Sequence, residues 1–550
     1  MTYRLGIDIG GTFTDATLVD EATGEVRIAK VSSTPRDPSV GFLEAAERIL
    51  AEGGVDGAAL RYLAHATTVA TNAIIEGNVA RTGFVTTDGF RDLLEIQRQT
   101  RSALYDVHFE KPKPLVPRHL CFGVRERLGP DGSVRRELDD AHVREVAAAL
   151  RAERVEAVAV CLLHAYVSPE HERRVGEILA EELPGIEISL SSDVAPEFRE
   201  YLRASTTVIN AGIQPVVARY LQGIEDRLVA SGVEAELLVM QSAGGVYTAE
   251  AARRRPVYMV ESGPAAGVIA AAELGRALGR LDVVSFDMGG TTAKVGLVQD
   301  GTPTVTKDYQ VGSAAHAGVG AAQFSGYPVR TPVVDLVEIG AGGGSIAWID
   351  SGGKLRVGPR SAGADPGPVC YGRGGAEPTI TDANLVLGRL GATTFLGGEL
   401  VLDAEAARAA IEERCGAPLG MDAVEAARGI VEIANAAMGN ALHLVSVQRG
   451  YDPRGFVLVA FGGAGPAHAC ALARDAGIET VLVPRSPGIF SATGLLVTDL
   501  EHEQATTVLA RLEDVSDGMV EAAFGPLEDA GRADLEREGT APEDIDFVRQ

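Results

Sequence analysis

Two carboxylates flank a bare glycine turn close to the start of the chain, in the segment LGIDIGGTFTDATLVD at Leu5–Asp20. Alternating apolar residues predict a strand before the turn and a returning strand after it. A turn without side chains lets backbone N–H groups approach a polyanion, and a nearby carboxylate can hold Mg²⁺ directly or through water. An ordinary hairpin tip is the alternative for this segment alone. The candidate phosphate- and metal-site residues of this segment are Asp8, Gly10, Gly11, Thr12, Thr14 and Asp15.

A second copy of the pattern occurs in Val283–Val298, VVSFDMGGTTAKVGLV. Aligning the glycine pairs matches Asp287 with Asp8, which predicts a duplicated domain with a phosphate clamp between its halves. In this interpretation Asp8 and Asp287 hold Mg²⁺ or its water shell. Lys294 either neutralises phosphate or is a solvated strand lysine. The second copy predicts that phosphate is bound by Gly289, Gly290, Thr291, Thr292 and Lys294.

A third glycine turn follows an apolar strand in Phe456–Gly465, FVLVAFGGAG, and predicts a helix starting at Pro466. A strand, a glycine turn and a helix in this order suit nucleotide binding. The chain contains no G-x-x-x-x-G-K-[ST] motif. The three turns resemble the two phosphate loops and the adenosine loop of the actin, Hsp70 and sugar-kinase ATPase superfamily. That resemblance implies that Gly462, Gly463 and Gly465 flank the adenosine.

Strand and helix patterns alternate along most of the chain, which predicts an α/β fold. Ala157–Leu163 is predicted as a buried strand and Ser168–Glu182 as a helix. Two long helices are predicted at Arg199–Asn210 and Pro215–Ser231, and another at Val424–Val447.

Composition excludes several classes of protein. A length of 550 residues predicts three or four domains. The formal charge of −26 disfavours nucleic acid and anionic membranes as partners. No apolar run reaches the ~18 residues of a membrane helix, and the first strand starts without a signal peptide, so we expect a cytoplasmic protein. The five cysteines form no CxxC pair, which disfavours an iron–sulfur activator.

A run of polar residues lies in HATTVATNAIIEG after Leu63. His65, Thr67 and Thr68 either line a polar pocket or belong to a helix cap. His468 is expected to be a satisfied helix histidine, and Arg253–Arg255 a solvated helix end.

The full motif set resembles the hydantoinase/oxoprolinase family. It comprises LGIDIGGTFTDATLVD, HATTVATNAIIEG, ESGPAAGV, SFDMGGTTAKVGLV, EIGAGGGSIAWID, GPRSAGADPGPVCYGRGG and AFGGAGPAHA. The resemblance covers about residues 3–500 and is nearest to the hydantoinase A subunit, which is also related to a ketone carboxylase subunit. One departure is Ala66, where the family has glycine. The resemblance implies an N-terminal domain at 1–200, a core at 201–500 and the start of an incomplete C-terminal domain at 501–550.

The family resemblance also implies a reaction. ATP with Mg²⁺ activates a cyclic amide, such as a hydantoin or 5-oxoproline, by phosphorylating the amide oxygen. A B-type subunit then completes hydrolysis within a hetero-oligomer. His65, Thr67 and Thr68 would face the substrate, and Asp15 would orient water, serve the metal or make a structural hydrogen bond. The alternatives are an ATP-dependent ketone carboxylase subunit and a non-enzymatic actin-like ATP switch.

Overall fold

The computed structural model describes residues 2–11, 13–34, 37–101, 105–312, 326–398 and 400–550. Strands and helices alternate through most of the chain, which confirms the predicted α/β class. The strands are β1 Tyr3–Ile9, β2 Phe13–Asp20, β3 Val26–Ser32, β4 Leu60–Thr67, β5 Thr82–Thr87, β6 Cys121–Val124, β7 Arg127–Leu128, β8 Val134–Arg136, β9 Ala157–Cys161, β10 Glu187–Leu190, β11 Leu237–Met240, β12 Val246–Thr248, β13 Val283–Met288, β14 Ala293–Gln299, β15 Thr302–Pro303, β16 Val305–Thr306, β17 Tyr309–Val311, β18 Tyr327–Val329, β19 Val333–Val334, β20 Leu336–Ile339, β21 Ser345–Ile349, β22 Leu355–Ser361, β23 Val457–Phe461 and β24 Val481–Leu482.

The α-helices pack on both the parallel and the mixed sheets. They are α1 Pro38–Gly53, α2 Val69–Glu76, α3 Leu93–Ile96, α4 Asp140–Ala152, α5 Glu170–Glu182, α6 Ser191–Val194, α7 Glu200–Ala230, α8 Ala249–Arg254, α9 Ser262–Ala277, α10 Ile380–Val386, α11 Ala404–Ile411, α12 Ala417–Leu419, α13 Ala423–Val445, α14 Pro466–Ala476, α15 Phe490–Gly494 and α16 Asp517–Arg537.

Three sheets carry most of the described structure, and two of them share a local topology. The first has the order β12-β11-β4-β1-β2-β3 and the third the order β15-β14-β13-β23-β24, with β20 beside β14. In the first, β1 is antiparallel to β2 and parallel to β4; in the third, β13 is antiparallel to β14 and parallel to β23. Each predicted glycine hairpin therefore lies beside a parallel strand. The second sheet, β10-β9-β5-β6, is parallel throughout.

Helix α9 lies between the first and third sheets. Its core contacts include Ala64 and Ala66 from β4 on one side and Val283 and Val459 from β13 and β23 on the other. Small residues allow this close packing: a Cβ on Gly267 would lie 2.6 Å from the ring of Phe461. Burial of the surrounding aliphatic side chains stabilises the junction by about 1.5–3 kcal/mol each. The start of α9 is thereby fixed between the strands that carry the two hairpins.

Helix α13 confirms the prediction of a long helix at Val424–Val447. It begins at a capping box formed by Asp422 and Glu425, and its apolar residues pack in the core of the third sheet. The segment Ala423–Arg449 is, among the described residues, the one helix long and apolar enough to cross a membrane, and half of its apolar window is buried inside the protein.

The predicted break between two long helices is wrong. Helix α7 runs without interruption for 31 residues and contains Pro215. The proline removes one N–H from the helix, but burial of most of the N-terminal half stabilises the helix regardless. The buried strand is also shorter than predicted, because β9 ends at Cys161 and His164 has a left-handed backbone with φ of 64°.

Candidate nucleotide and substrate site

The two glycine hairpins close in the same way. The N–H of Gly10 donates to the carbonyl of Phe13 over 3.0 Å, and the N–H of Gly289 donates to the carbonyl of Thr292 over 3.1 Å. At both tips the second glycine is exposed, as is Thr291. The second tip therefore keeps surface for a ligand. Thr12, predicted to bind phosphate, lies outside the described residues.

The register of the hairpins places opposite charges at equivalent positions. Asp8 pairs with Asp15 across the first hairpin, whereas Asp287 pairs with Lys294 across the second. Because paired residues of an antiparallel ladder share a face of the sheet, each hairpin directs both charged side chains to one side. The sequence copies are therefore alike in backbone and different in charge.

The predicted metal carboxylates lie close to each other. Burial, followed by the charges of Asp15 and Asp287, raises the pKa of Asp8 to about 7. Burial also raises the pKa of Asp287 to about 6, although Lys294 opposes the rise. Each carboxylate keeps part of its surface accessible. Neighbouring buried carboxylates with raised pKa values are typical of sites that bind a cation or move a proton.

Two other elements reach the same carboxylates. A Cβ on Gly263, in the first turn of α9, would lie 3.0 Å from Oδ1 of Asp8. A Cβ on Gly462, in the third glycine turn, would lie 2.3 Å from Oδ1 of Asp287. The structure therefore brings together both hairpins, the third turn and the positive end of the α9 dipole.

The third turn joins the second hairpin through its backbone. The N–H of Ala464 donates to the carbonyl of Met288 over 2.9 Å, and Gly462 takes a φ of 79°. Gly463 is exposed, and a Cβ there would meet no atom within 4 Å. A Cβ on Gly465 would lie 2.0 Å from the carbonyl oxygen of Phe461, so only glycine fits there. Helix α14 starts at Pro466, which confirms the predicted strand, turn and helix.

Both lysines at the hairpins are held by carboxylates. Lys30 forms an ion pair with Asp15 and donates to the carbonyl of Gly488 over 3.1 Å. Lys294 lies 3.0 Å from Glu261 and 3.7 Å from Glu338. Burial disfavours its charge, but these two glutamates outweigh that effect, so the pKa of Lys294 lies above its usual value. In this state Lys294 is neither a solvated strand lysine nor free to bind phosphate.

Glu261 is a site residue that we did not single out from the sequence. It is buried, precedes α9 and has a left-handed backbone with φ of 64°. Its N–H donates to Oγ1 of Thr71 over 3.2 Å. A strained non-glycine residue that holds a buried lysine beside the carboxylates has the features of a functional position. Its only sequence signal was membership of the ESGPAAGV motif.

A further glycine turn supports the second hairpin. The N–H groups of Gly343 and Gly344 donate to the carbonyls of Gly289 and Gly290 over 2.9 and 2.6 Å. A Cβ on Gly342 would lie 2.4 Å from the carbonyl carbon of Thr291. The dense glycine run of EIGAGGGSIAWID is therefore explained by backbone packing against the phosphate hairpin.

The prediction that Thr14 binds phosphate is wrong for this structure. Thr14 is fully buried, and its hydroxyl lies 3.2 Å from the hydroxyl of Ser33. Side chains alternate along a strand, so Thr14 and Asp15 point to opposite faces of β2. The hydroxyl of Ser33 instead donates to the carbonyl of Gly10 over 2.7 Å and so stabilises the first hairpin tip.

The prediction that His65 faces the substrate is also wrong. His65 is fully buried: Nδ1 lies 3.0 Å from the carbonyl of Ile7, and Nε2 lies 2.7 Å from the hydroxyl of Tyr220. Since a carbonyl can only accept, Nδ1 carries the proton and Nε2 accepts from Tyr220. Burial lowers the pKa of His65 to about 4. The neutral imidazole thus anchors β1 one residue before Asp8.

Thr67 and Thr68 have different environments. Thr67 is fully buried and exchanges hydrogen bonds with Ser262, which ties the end of β4 to the start of α9, so it does not face a substrate. Thr68 is partly exposed, and its hydroxyl accepts from Asn72 over 3.3 Å. Only Thr68 of this group keeps surface toward a ligand. His468, as expected, is satisfied, with Asn435 and Asn384 on its two ring nitrogens.

Models of known families match almost the whole chain. The hydantoinase/oxoprolinase model matches residues 203–504, and the model of the hydantoinase/oxoprolinase N-terminal region matches residues 4–183. The chain belongs to the hydantoinase/oxoprolinase family. This confirms the family resemblance of the motifs.

Two relatives resemble the chain over most of its length. An uncharacterised protein of Methanocaldococcus jannaschii is 43% identical over 100% of this chain and 80% of its own length. The caprolactamase subunit alpha of Pseudomonas jessenii is 37% identical over 98% of this chain and 76% of its own length.

Two solved structures share the fold. The structure of the ATP-dependent caprolactamase from Pseudomonas jessenii has a TM-score of 0.86 at 36% identity, and covers 98% of this chain and 78% of its own. A nucleotide-free structure of acetone carboxylase, from work on ATP-dependent acetone carboxylation, has a TM-score of 0.80 at 29% identity, with the same two coverages.

Proposed function

We propose that this chain is the ATP-binding subunit of an ATP-dependent cyclic amide hydrolase. The observation that carries the proposal is the convergence of Asp8 and Asp287, with raised pKa values, on two equivalent glycine hairpins and a third glycine turn. Phosphoryl transfer depends on positioning and on neutralising charge, and this arrangement offers both. The caprolactamase relative supports a cyclic amide as the substrate class.

The proposed nucleotide pose follows the three turns. The exposed hairpin tips and Thr291 would donate to the phosphates, and the open surface at Gly463 would carry the adenosine. The repeated hairpin beside a parallel strand supports a duplicated actin-like ATPase fold with the nucleotide between its halves. Domains at 1–200, 201–500 and 501–550 belong to this proposal.

Magnesium fits the donors that are present. Among the described residues no group of three or more histidine, cysteine or carboxylate side chains is placed to hold a metal ion. Mg²⁺ usually takes one or two carboxylates and completes its shell with water and substrate phosphates. Asp8 and Asp287 would hold the ion or its waters, and the ion would supply charge neutralisation for the phosphates.

The proposed reaction begins on the amide oxygen. That oxygen attacks the γ-phosphorus of ATP, the bond to the ADP oxygen breaks, and the ring carries an O-phosphorylated imidate. Water then adds to the imidate carbon, and the ring C–N bond breaks as the nitrogen takes a proton, which leaves an acyl phosphate. A second water attacks the acyl carbon, and phosphate leaves with the former amide oxygen. The chain contains neither G-x-S-x-G nor H-E-x-x-H, so we assign ring opening to a B-type partner in a hetero-oligomer.

A ketone carboxylase subunit is the second candidate. The fold similarity to acetone carboxylase favours it, because activation of a ketone or of bicarbonate would use the same phosphate clamp. The two candidates differ in the molecule that accepts the phosphoryl group.

The test measures ADP release by the chain with ATP and Mg²⁺. Hydantoin, 5-oxoproline or caprolactam should stimulate release, and acetone or acetophenone with bicarbonate should not. Ring-opened product should appear only when a B-type subunit is added. Stimulation by ketones alone would replace the proposal with the second candidate, and ring opening by the chain alone would refute the division of labour.

A further inference from the structure

A polar cavity of about 170 Å³ lies away from the nucleotide site. Its walls come from α6 and the residues after it, the segment before α9, and parts of the chain around Lys307, Arg330 and Glu503. None of the carboxylates or glycine turns of the nucleotide site lines it. The cavity is therefore a separate feature, large enough for a small metabolite.

Most charged groups of the cavity satisfy each other. Lys307 lies 3.0 Å from Glu197 and 2.6 Å from Glu503, and Arg330 lies 3.1 Å from Glu197. These residues form a closed network that needs no ligand. They fix the shape of one wall.

Two opposite charges in the cavity remain unpaired. The partly buried side chain of Arg255 and the exposed side chain of Asp193 both line it, and within the described part of the chain neither makes a hydrogen bond or ion pair. The two preceding arginines, unlike Arg255, form ion pairs: Arg253 pairs with Glu225, and Arg254 lies 3.1 Å from Glu250. Arg253–Arg255 is thus not the uniformly solvated helix end that the sequence predicts.

A third group in the cavity also lacks a partner. Oγ of Ser192, next to Asp193, is buried and has no hydrogen bond among the described residues. Buried polar atoms of native proteins are nearly always bonded, so this hydroxyl would gain a partner if it turned toward a ligand in the cavity.

We propose that this cavity binds a small zwitterionic amino acid. Its carboxylate would take the planar fork of Arg255, its ammonium group would lie at Asp193, and the Ser192 hydroxyl would turn toward the ligand. Three cations and three anions line the cavity, namely Arg255, Lys307, Arg330, Asp193, Glu197 and Glu503. A ligand without net charge preserves that balance, whereas a simple carboxylate or amine leaves one wall charge unpaired.

The ligand class connects to the proposed reaction. Hydrolysis of a cyclic amide leaves a carboxylate and an ammonium group on one molecule, so the ring-opened product belongs to the class that the cavity fits. This connection rests on the proposed function. Binding of an amino acid as such does not, and it can be measured without ATP.

The test is calorimetric titration of the purified chain with glycine, 4-aminobutanoate and 6-aminohexanoate. Butanoate and butylamine serve as probes with one charge. At least one amino acid should bind, and Arg255→Gln and Asp193→Asn should each weaken its binding about tenfold or more, because each removes a charge-assisted contact. Arg254→Gln, the matched change at the neighbouring exposed arginine, should leave binding unchanged.

Ser192→Val provides a second route if Arg255→Gln does not fold. It replaces the orphaned hydroxyl by apolar bulk and should block binding without removing a charge. The proposal fails if no amino acid of the series binds, or if butanoate or butylamine binds as tightly. It also fails if Arg254→Gln weakens binding as much as Arg255→Gln, or if Ser192→Val leaves binding intact. None of these binding measurements uses ATP-dependent activity. The amino-acid site and the proposed function are therefore tested independently of each other.

Discussion

Replacing Asp8 by asparagine should stabilise the nucleotide-free protein at neutral pH while it abolishes Mg²⁺-dependent turnover. Burial and the nearby charges of Asp15 and Asp287 raise the pKa of Asp8 from 3.8 to about 7. Asparagine is nearly isosteric, so it fits the same space beside Gly263 and removes the disfavoured charge. Sites arranged for function commonly destabilise the protein in this way.

The size of the effect follows from the pKa. A rise of about three units corresponds to about 4 kcal/mol at about 1.4 kcal/mol per unit. Since part of Asp8 is accessible to solvent, which screens the charge, we expect about 2–4 kcal/mol. Between pH ~4 and ~7 the unfolded chain releases a proton that the native state retains, so wild-type stability falls as pH rises. The advantage of Asp8→Asn should therefore be full above pH 7 and shrink toward pH 4.

The assay is urea unfolding of wild type and variant between pH 5 and pH 8, with EDTA and without nucleotide. His65 and His468 are present in both proteins, so the difference in the free energy of unfolding reports Asp8 together with the carboxylates that interact with it. Asp475→Asn, at an exposed carboxylate of α14, is the control and should change nothing. A difference that does not vary with pH, or a variant less stable than wild type at pH 8, would refute the reasoning.

Gly463→Val should weaken ATP binding in calorimetry without lowering the melting temperature, because a Cβ there enters open space. Gly455→Val, at the other end of β23 and equally open, is the control. Equal ATP affinities for both variants would remove the third turn from the site. Gly342→Ala should lower the free energy of unfolding by about 1–3 kcal/mol and also raise the KM for ATP, since the new Cβ meets the second hairpin. A change in melting temperature without a change in KM would contradict the role of this turn in supporting the second hairpin. Asp8→Ala and Asp287→Ala should lose kcat/KM non-additively when combined, because both serve one metal and phosphate assembly, and additive losses would indicate independent roles.

The backbone of the site was predictable from the sequence, because glycine pairs and strand alternation are local signals. The hairpin at Leu5–Asp20, its copy at Val283–Val298 and the helix at Pro466 all occur as predicted. The opposite charges of Asp15 and Lys294 at equivalent positions were also visible in the sequence once the register was known.

The side-chain environments were not predictable, because they depend on long-range packing. His65 is satisfied by Tyr220, which lies on α7 far along the chain. Lys294 is neutralised by Glu261. No local sequence pattern predicts the left-handed backbone of Glu261. Thr14 could have been placed correctly from the sequence, since strand alternation already separates it from Asp15.

The most direct test of the proposed phosphoryl transfer uses a cyclic amide labelled with ¹⁸O at its ring carbonyl. The chain is combined with a B-type subunit, Mg²⁺ and unlabelled ATP, and the phosphate released is analysed by mass spectrometry. If the amide oxygen attacks the γ-phosphorus, the ¹⁸O leaves with phosphate, and each turnover should place one ¹⁸O atom in the inorganic phosphate. Ring opening with the label retained entirely in the carboxylate of the product would contradict the proposed transfer of the amide oxygen to phosphate.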